Sequence, residues 1–233
     1  MDRVMTTPPA SSGSDRRRRD LGFGIGLLVI GLAIGIAAGP ASTAITHVAG
    51  EKAFWTASRL TAFLAYLAFA GSTAYGLGMS SGLIDAVVGK PVSLTLHRDL
   101  AWAGLALAAA HIFLLLGDGY IGFTLPTLLI PGTSPYLPVP VAIGQIAAWA
   151  ALFTTLSFYA RSRMGLRLWR GIHSLSAVVF ALATAHGLFS GTDSKQDVIW
   201  WVYVVVALVN LFLFVYRLSS IGSGSSRPSR AGI

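Results

Sequence analysis

Six stretches of mostly apolar residues, at 21–39, 54–78, 98–117, 140–160, 171–189 and 198–217, dominate this 233-residue sequence. A helix needs about 20 such residues to cross a bilayer. Backbone polar groups in lipid must be satisfied within the segment, so stretches of this length call for helices rather than open sheet. Charged residues make up 11% of the chain, against roughly 25% in a typical soluble domain. The predicted fold is therefore all-α, a polytopic bundle of six transmembrane helices over 21–217. A basic, disordered arm (1–20) precedes it and a disordered Ser/Gly-rich tail (218–233) follows, with no room for a second soluble domain.

The net charge of +8 invites a nucleic-acid partner, but the distribution of the charges argues for topology instead. If six spans alternate, Arg3, Arg16, Arg17, Arg18, Arg19, Lys90, Arg98, Arg161, Arg163, Arg167, Arg170, Arg217, Arg227 and Arg230 share one side. Only Lys52 and Lys195 fall on the other, and Arg59 lies inside a span. This is the positive-inside pattern; it predicts a plasma-membrane protein with both termini cytoplasmic. The expected partner is lipid, with some attraction to anionic head groups, and no nucleic acid. The Arg run followed by an apolar stretch and Ala-Gly-Pro-Ala-Ser-Thr-Ala also fits a secretory signal, although the stretch is long for one. Its removal would leave the orientation of the later helices unchanged. Gly, Ser and Pro91 read as breakers of a cytoplasmic loop 79–97 before a helix that opens at His97, and a basic loop 161–170 joins the fourth and fifth spans. The external segment 117–139 is apolar, yet Pro126, Pro131, Pro135, Pro138 and the following Pro140 argue against a further straight helix. It reads as a loop at the outer interface, in the position of a lid.

The chain has no Cys, which excludes disulfides, thiolate metal sites and covalent c-type haem attachment. It has five His, and four of them form two pairs. His97 and His111 are 14 residues apart on the third span, and His173 and His186 are 13 apart on the fifth. Those two spans run in the same direction, so His97 matches His173 in depth near the cytoplasmic end, and His111 matches His186 nearer the outside. At about 1.5 Å per residue the two levels lie roughly 20 Å apart, a spacing at which two haems stack in a bundle. Neutral imidazole is a good ligand for iron, and polar groups inside lipid are costly unless they have a purpose. Fourteen residues return almost to the same helix face, whereas thirteen leave a discrepancy of roughly 140° at about 100° per residue. The fifth helix is then locally distorted, or the haems approach it from different sides. The alternative for each His is a core residue satisfied by a backbone carbonyl. His47 belongs to an external loop.

At these residues the chain resembles the ferric reductase-like transmembrane domain family. That family includes the membrane cores of NADPH oxidases and ferric reductases and the haem-binding subunit of the methionine sulfoxide reductase system. The resemblance rests on the four His and on two helix entries. One is His97-Arg98-Asp99-Leu100-Ala101-Trp102; the other is Trp169-Arg170-Gly171-Ile172-His173 leading to His186-Gly187-Leu188. It covers roughly 20–217. It implies two non-covalent b-type haems with bis-histidine ligation, the inner held by His97 and His173 and the outer by His111 and His186. It also offers Arg59, a charge inside the second span, as a partner for an outer haem propionate or an electron acceptor, with snorkelling to the head groups as the alternative. Arg98 and Arg170 border the inner His residues and would either meet the inner propionates or mark the cytoplasmic interface.

The implied function is a di-haem b-type transmembrane electron-transfer protein. Electrons would pass from a cytoplasmic donor through an inner and an outer haem to an external acceptor. No flavin or NAD(P) site is expected within these residues: Gly22-x-Gly24-x-Gly26 lies inside a span and is no phosphate loop. A separate donor flavoprotein or a quinol, and an external redox partner, are expected instead. Two alternatives stand beside this. One is a haem-bearing anchor subunit of a multi-subunit oxidoreductase; the other is a haem-free permease or structural membrane protein. No Asp or Glu lies deep in any span, which disfavours ion-coupled transport.

Overall fold

The computed structural model describes residues 52–84 and 87–223. The expected arm at 1–20, first span at 21–39, His47 and the last ten residues lie outside that range. Among the described residues all regular structure is helical. In order these are α1 (Ala53–Ser81), α2 (Lys90–Leu114), the short α3 (Leu125–Leu129), α4 (Pro138–Met164), α5 (Leu166–Ser174), α6 (Ser176–Ser190) and α7 (Asp197–Ser223). A tight turn extends α2 through Gly117, and another, Thr192–Lys195, joins α6 to α7. Five units are long and apolar enough to cross a membrane: α1, α2 with its turn, α4, α5 with α6, and α7.

Several boundaries differ from the sequence reading. The second long helix begins at Lys90, not beside His97, because Pro91 sits in its first turn. There the missing N–H costs nothing and the fixed φ suits the helix, so the residue read as a breaker is a starter. His97 consequently lies two turns inside α2. Pro138 and Pro140 play the same part at the start of α4. The stretch 161–170, read as a basic loop, is almost wholly helical; Gly165 alone separates α4 from α5 at φ +82, a conformation that favours glycine. At the far end α7 runs to Ser223, so 218–223 belong to a helix rather than to a disordered tail.

The segment between α2 and α4 is built rather than loose. α3 is capped at Thr124, whose side chain accepts from the Thr127 N–H. Buried Gln145 of α4 then clamps the segment from both sides. Its Nε2 donates to the Thr127 carbonyl at 2.9 Å, and its Oε1 accepts from the Gly132 N–H at 3.3 Å. Trp149 Nε1 donates to the Leu129 carbonyl at 2.9 Å, and Tyr136 meets Trp55 of α1 edge to face. The expected interfacial loop is thus tied to α4 along much of its length.

α1 packs most extensively on α2 and also touches α6 and α7, while α4 packs along α6. Small residues allow close approach, as in membrane bundles generally: Gly104 of α2 lies against the Phe69 ring, and Gly71 of α1 against Leu100. One apolar cluster joins Trp102 and Leu105 of α2 to Ala151 of α4 and Val179 of α6. A second joins Tyr66 and Ala70 of α1 to Phe180 of α6 and Tyr203 of α7. The outer faces stay apolar, with Leu60, Phe153, Val198, Trp201, Leu208 and Phe212 all exposed. Surface of this kind and extent suits an apolar surrounding rather than water.

Candidate paired-histidine site

The four histidines meet in the two pairs expected from their depth. The His97 and His173 rings have centroids 5.8 Å apart with planes at 83°, and the His111 and His186 rings are 6.3 Å apart at 62°. Along α2 the two levels are separated by 14 residues, or about 21 Å at 1.5 Å per residue. The backbones of α2 and of α5–α6 are not closely packed on each other; the imidazoles reach across the space between them. Between its two His each helix is rich in alanine, and Trp102 and Leu105 of α2 meet Val179 of α6 in one apolar cluster.

The helix that carries the 13-residue step is interrupted at Leu175, between α5 and α6. The Leu175 N–H bonds to the Ile172 carbonyl at 3.1 Å, a tightened i→i−3 turn. Such a turn adds about 20° per residue relative to an α-helix, taking up part of the angular discrepancy. Just before it, the Ser174 hydroxyl donates back to the Gly171 carbonyl at 2.6 Å, a contact that bends helices.

Three of the four rings are oriented by hydrogen bonds at Nδ1. His97 Nδ1 lies 2.7 Å from the Ser72 carbonyl and 3.1 Å from its Oγ. His111 Nδ1 lies 3.0 Å from the Ser58 carbonyl and 2.8 Å from its Oγ. In both cases the serine hydroxyl also donates to the carbonyl of the same histidine, at 2.9 and 3.1 Å respectively. His186 Nδ1 meets the Pro140 carbonyl at 2.9 Å and Ser190 Oγ at 3.2 Å. A carbonyl accepts only, so each of these Nδ1 atoms carries the proton and each Nε2 keeps its lone pair. That is the tautomer a metal-ligating imidazole adopts. His173 differs: its Nδ1 is buried without a partner, and its ring stacks on Trp169 at 5.1 Å and 21°.

Ser58 and Ser72, 1% and 5% exposed, were not singled out in the sequence. Their 14-residue step along α1 equals that of His111 and His97 along antiparallel α2, so one register serves both levels. That matched spacing was a readable signal. Loss of either hydroxyl removes two contacts to a single histidine. Ser72→Ala and Ser58→Ala are each expected to speed loss of a ligand held at that level roughly tenfold, the lower end for partners of ligating histidines. Transfer of haem to a scavenging apoprotein measures this.

Arg59 does not stand free. Its Nε and a terminal nitrogen both contact the Asp193 carboxylate, which also accepts from Gln196 Nε2 at 3.0 Å. This pair ties α1 to the turn after His186. Arg98 bonds to Asp99 at 2.9 Å. Arg170 is exposed on α5. Phe180, midway between His173 and His186, is buried and stacks on Tyr66 at 5.8 Å and 18°. Tyr203 leans on the same Tyr66 ring at 4.5 Å.

The donor set itself indicates the kind of group it suits. Among the described residues no cluster of three or more His, Asp or Glu could hold a bare metal ion. Two facing imidazoles per level leave most of a coordination sphere to be supplied by the group itself, as a macrocycle does. A metal–imidazole bond of about 2.0 Å on either side sets two opposed ring centroids roughly 6 Å apart, close to both observed separations. No protein-family model, curated protein or solved structure matches the chain.

Proposed function

We propose that the chain is a membrane-embedded electron-transfer protein that holds two non-covalent b-type haems. His97 and His173 would hold the haem at the end assigned by charge to the cytoplasm, and His111 and His186 the one nearer the outside. The observation that carries this reading is the pairing of four histidines, contributed by two helices, at two depths and at ligating separation. A haem held by such a pair of imidazoles would supply one-electron transfer chemistry.

The protein's own part is orientation and exclusion of water. The carbonyls of Ser58, Ser72 and Pro140 hold three imidazoles with Nε2 free to ligate. The aromatic cluster of Tyr66, Phe180 and Tyr203 fills the bundle between the two levels, keeping that interval apolar. The Arg59–Asp193 pair fixes the outer turn beside His186. In this reading, as in the ferric reductase-like family, a separate flavoprotein or quinol would donate on one side and an acceptor would be reduced on the other.

Proteoliposomes with ferricyanide trapped inside and dithionite added outside test the transfer itself. Bleaching of the trapped ferricyanide is expected for the wild type, and at least tenfold slower bleaching for His97→Ala combined with His111→Ala. Equal rates for wild type, double variant and empty vesicles would overturn the proposal.

A further inference from the structure

We infer that His173 is the exchangeable ligand of the four, so that the His97/His173 level can take a small uncharged diatomic ligand such as carbon monoxide while the His111/His186 level cannot. The inference rests on the haem reading above and adds a ligand-binding property confined to one level.

Three observations converge on His173. His97, His111 and His186 each have an acceptor for Nδ1, two of them backed by a buried serine, whereas the His173 Nδ1 is buried with none. A second hydrogen-bond partner of this kind fixes the orientation of a ligating imidazole and raises its basicity, so His173 is both the least fixed and the weakest donor of the set. Its ring is kept in place by stacking on Trp169, whose own Nε1 is likewise buried without a partner. Finally, the helix is interrupted at Leu175, two residues further on, so α5 can shift without moving α6 and His186. An unpaired buried donor is destabilising, and a ring that swings out of the ligating position can remove that cost by finding an acceptor. Release of His173 therefore meets less opposition than release of any other ligand here.

The test is the carbon monoxide difference spectrum of the dithionite-reduced, detergent-purified full chain, with haem counted per chain in the same sample. Half of the bound haem is expected to react in the wild type. In His173→Ala half of the haem reacts if that level keeps its haem and none reacts if the level is emptied, because the His111/His186 level stays closed; reaction of all remaining haem would overturn the inference. In His186→Ala all remaining haem becomes reactive, whether or not the variant keeps its second haem. Two haems per chain with no carbon monoxide binding would overturn the inference while leaving the haem reading intact. So would reaction of half or none of the haem in His186→Ala, since it would place the reactive site at the other level. Absence of haem from the wild type would instead sink the functional reading on which the inference depends.

Discussion

Replacing His111 with Ala is expected to lower the haem content of the purified protein from two per chain towards one, and His97→Ala to do the same at the other level. The double variant should be colourless. The reason is that in the proposed reading each ring would be one of the two imidazoles facing each other at its level, and an imidazole opposite an empty position holds iron far less firmly. The two single variants should leave each other's sites unaffected. The levels lie about 21 Å apart along α2 by helix rise, and substitutions more than about 10 Å apart without shared partners act independently. The pyridine haemochrome assay reads the count directly. Loss of both haems in either single variant would mean that the levels fold as one unit.

Gly144→Ala is expected to empty the His111/His186 level without altering any ligand. A Cβ at Gly144 would lie 2.5 Å from Nδ1 and 2.6 Å from Cγ and Cε1 of His186, well inside contact distance, so the ring must move. That movement also breaks its bond to the Pro140 carbonyl. Overpacking of this kind costs about 1–3 kcal/mol, which corresponds to a tenfold to hundredfold weaker hold on a ligand at that level. Gly171→Ala is the matched control, because a Cβ there meets nothing within 4 Å. Haem per chain should fall towards one in the first variant and stay at two in the second.

The long helices were legible because lipid imposes a length and a composition that few other environments demand. Their ends were less so. Pro91, Pro138 and Pro140 look like breakers in a string of letters, yet each occupies the first turn of a helix, where the same chemistry that breaks an interior starts a terminus. Gly165 was read as part of a longer loop; its positive φ turns the chain within a single residue, and nothing in the neighbouring Arg residues required more. The anchoring of the segment between α2 and α4 was illegible for a different reason. Gln145 and Trp149 reach carbonyls 18 and 20 residues away, and no local pattern encodes which carbonyl a buried side chain will find.

The histidines carried the site at sequence level because their spacing could be converted to depth. The same arithmetic exposed the misfit of the 13-residue step and left two explanations, a distorted helix or haems approaching from different sides; the tightened turn at Leu175 takes up part of the angle. No Gly or Pro marks that position; Ser174, bonded back to Gly171, is the local cue. Ser58 and Ser72 were passed over because serine in an apolar helix commonly bonds only to its own backbone. Their role emerges once the antiparallel register of α1 on α2 is known. The role expected of Arg59 was weighed against lipid and haem alone, while Asp193, 134 residues away in the chain, supplies a protein partner.

The most direct test is a dithionite-reduced minus oxidised spectrum of the detergent-purified protein, expressed with ample haem and quantified per chain. The account predicts the sharp bands of low-spin b-type haem at two per chain. A colourless protein that is folded and monodisperse would contradict it, leaving the four histidines as paired core residues of a helical membrane bundle.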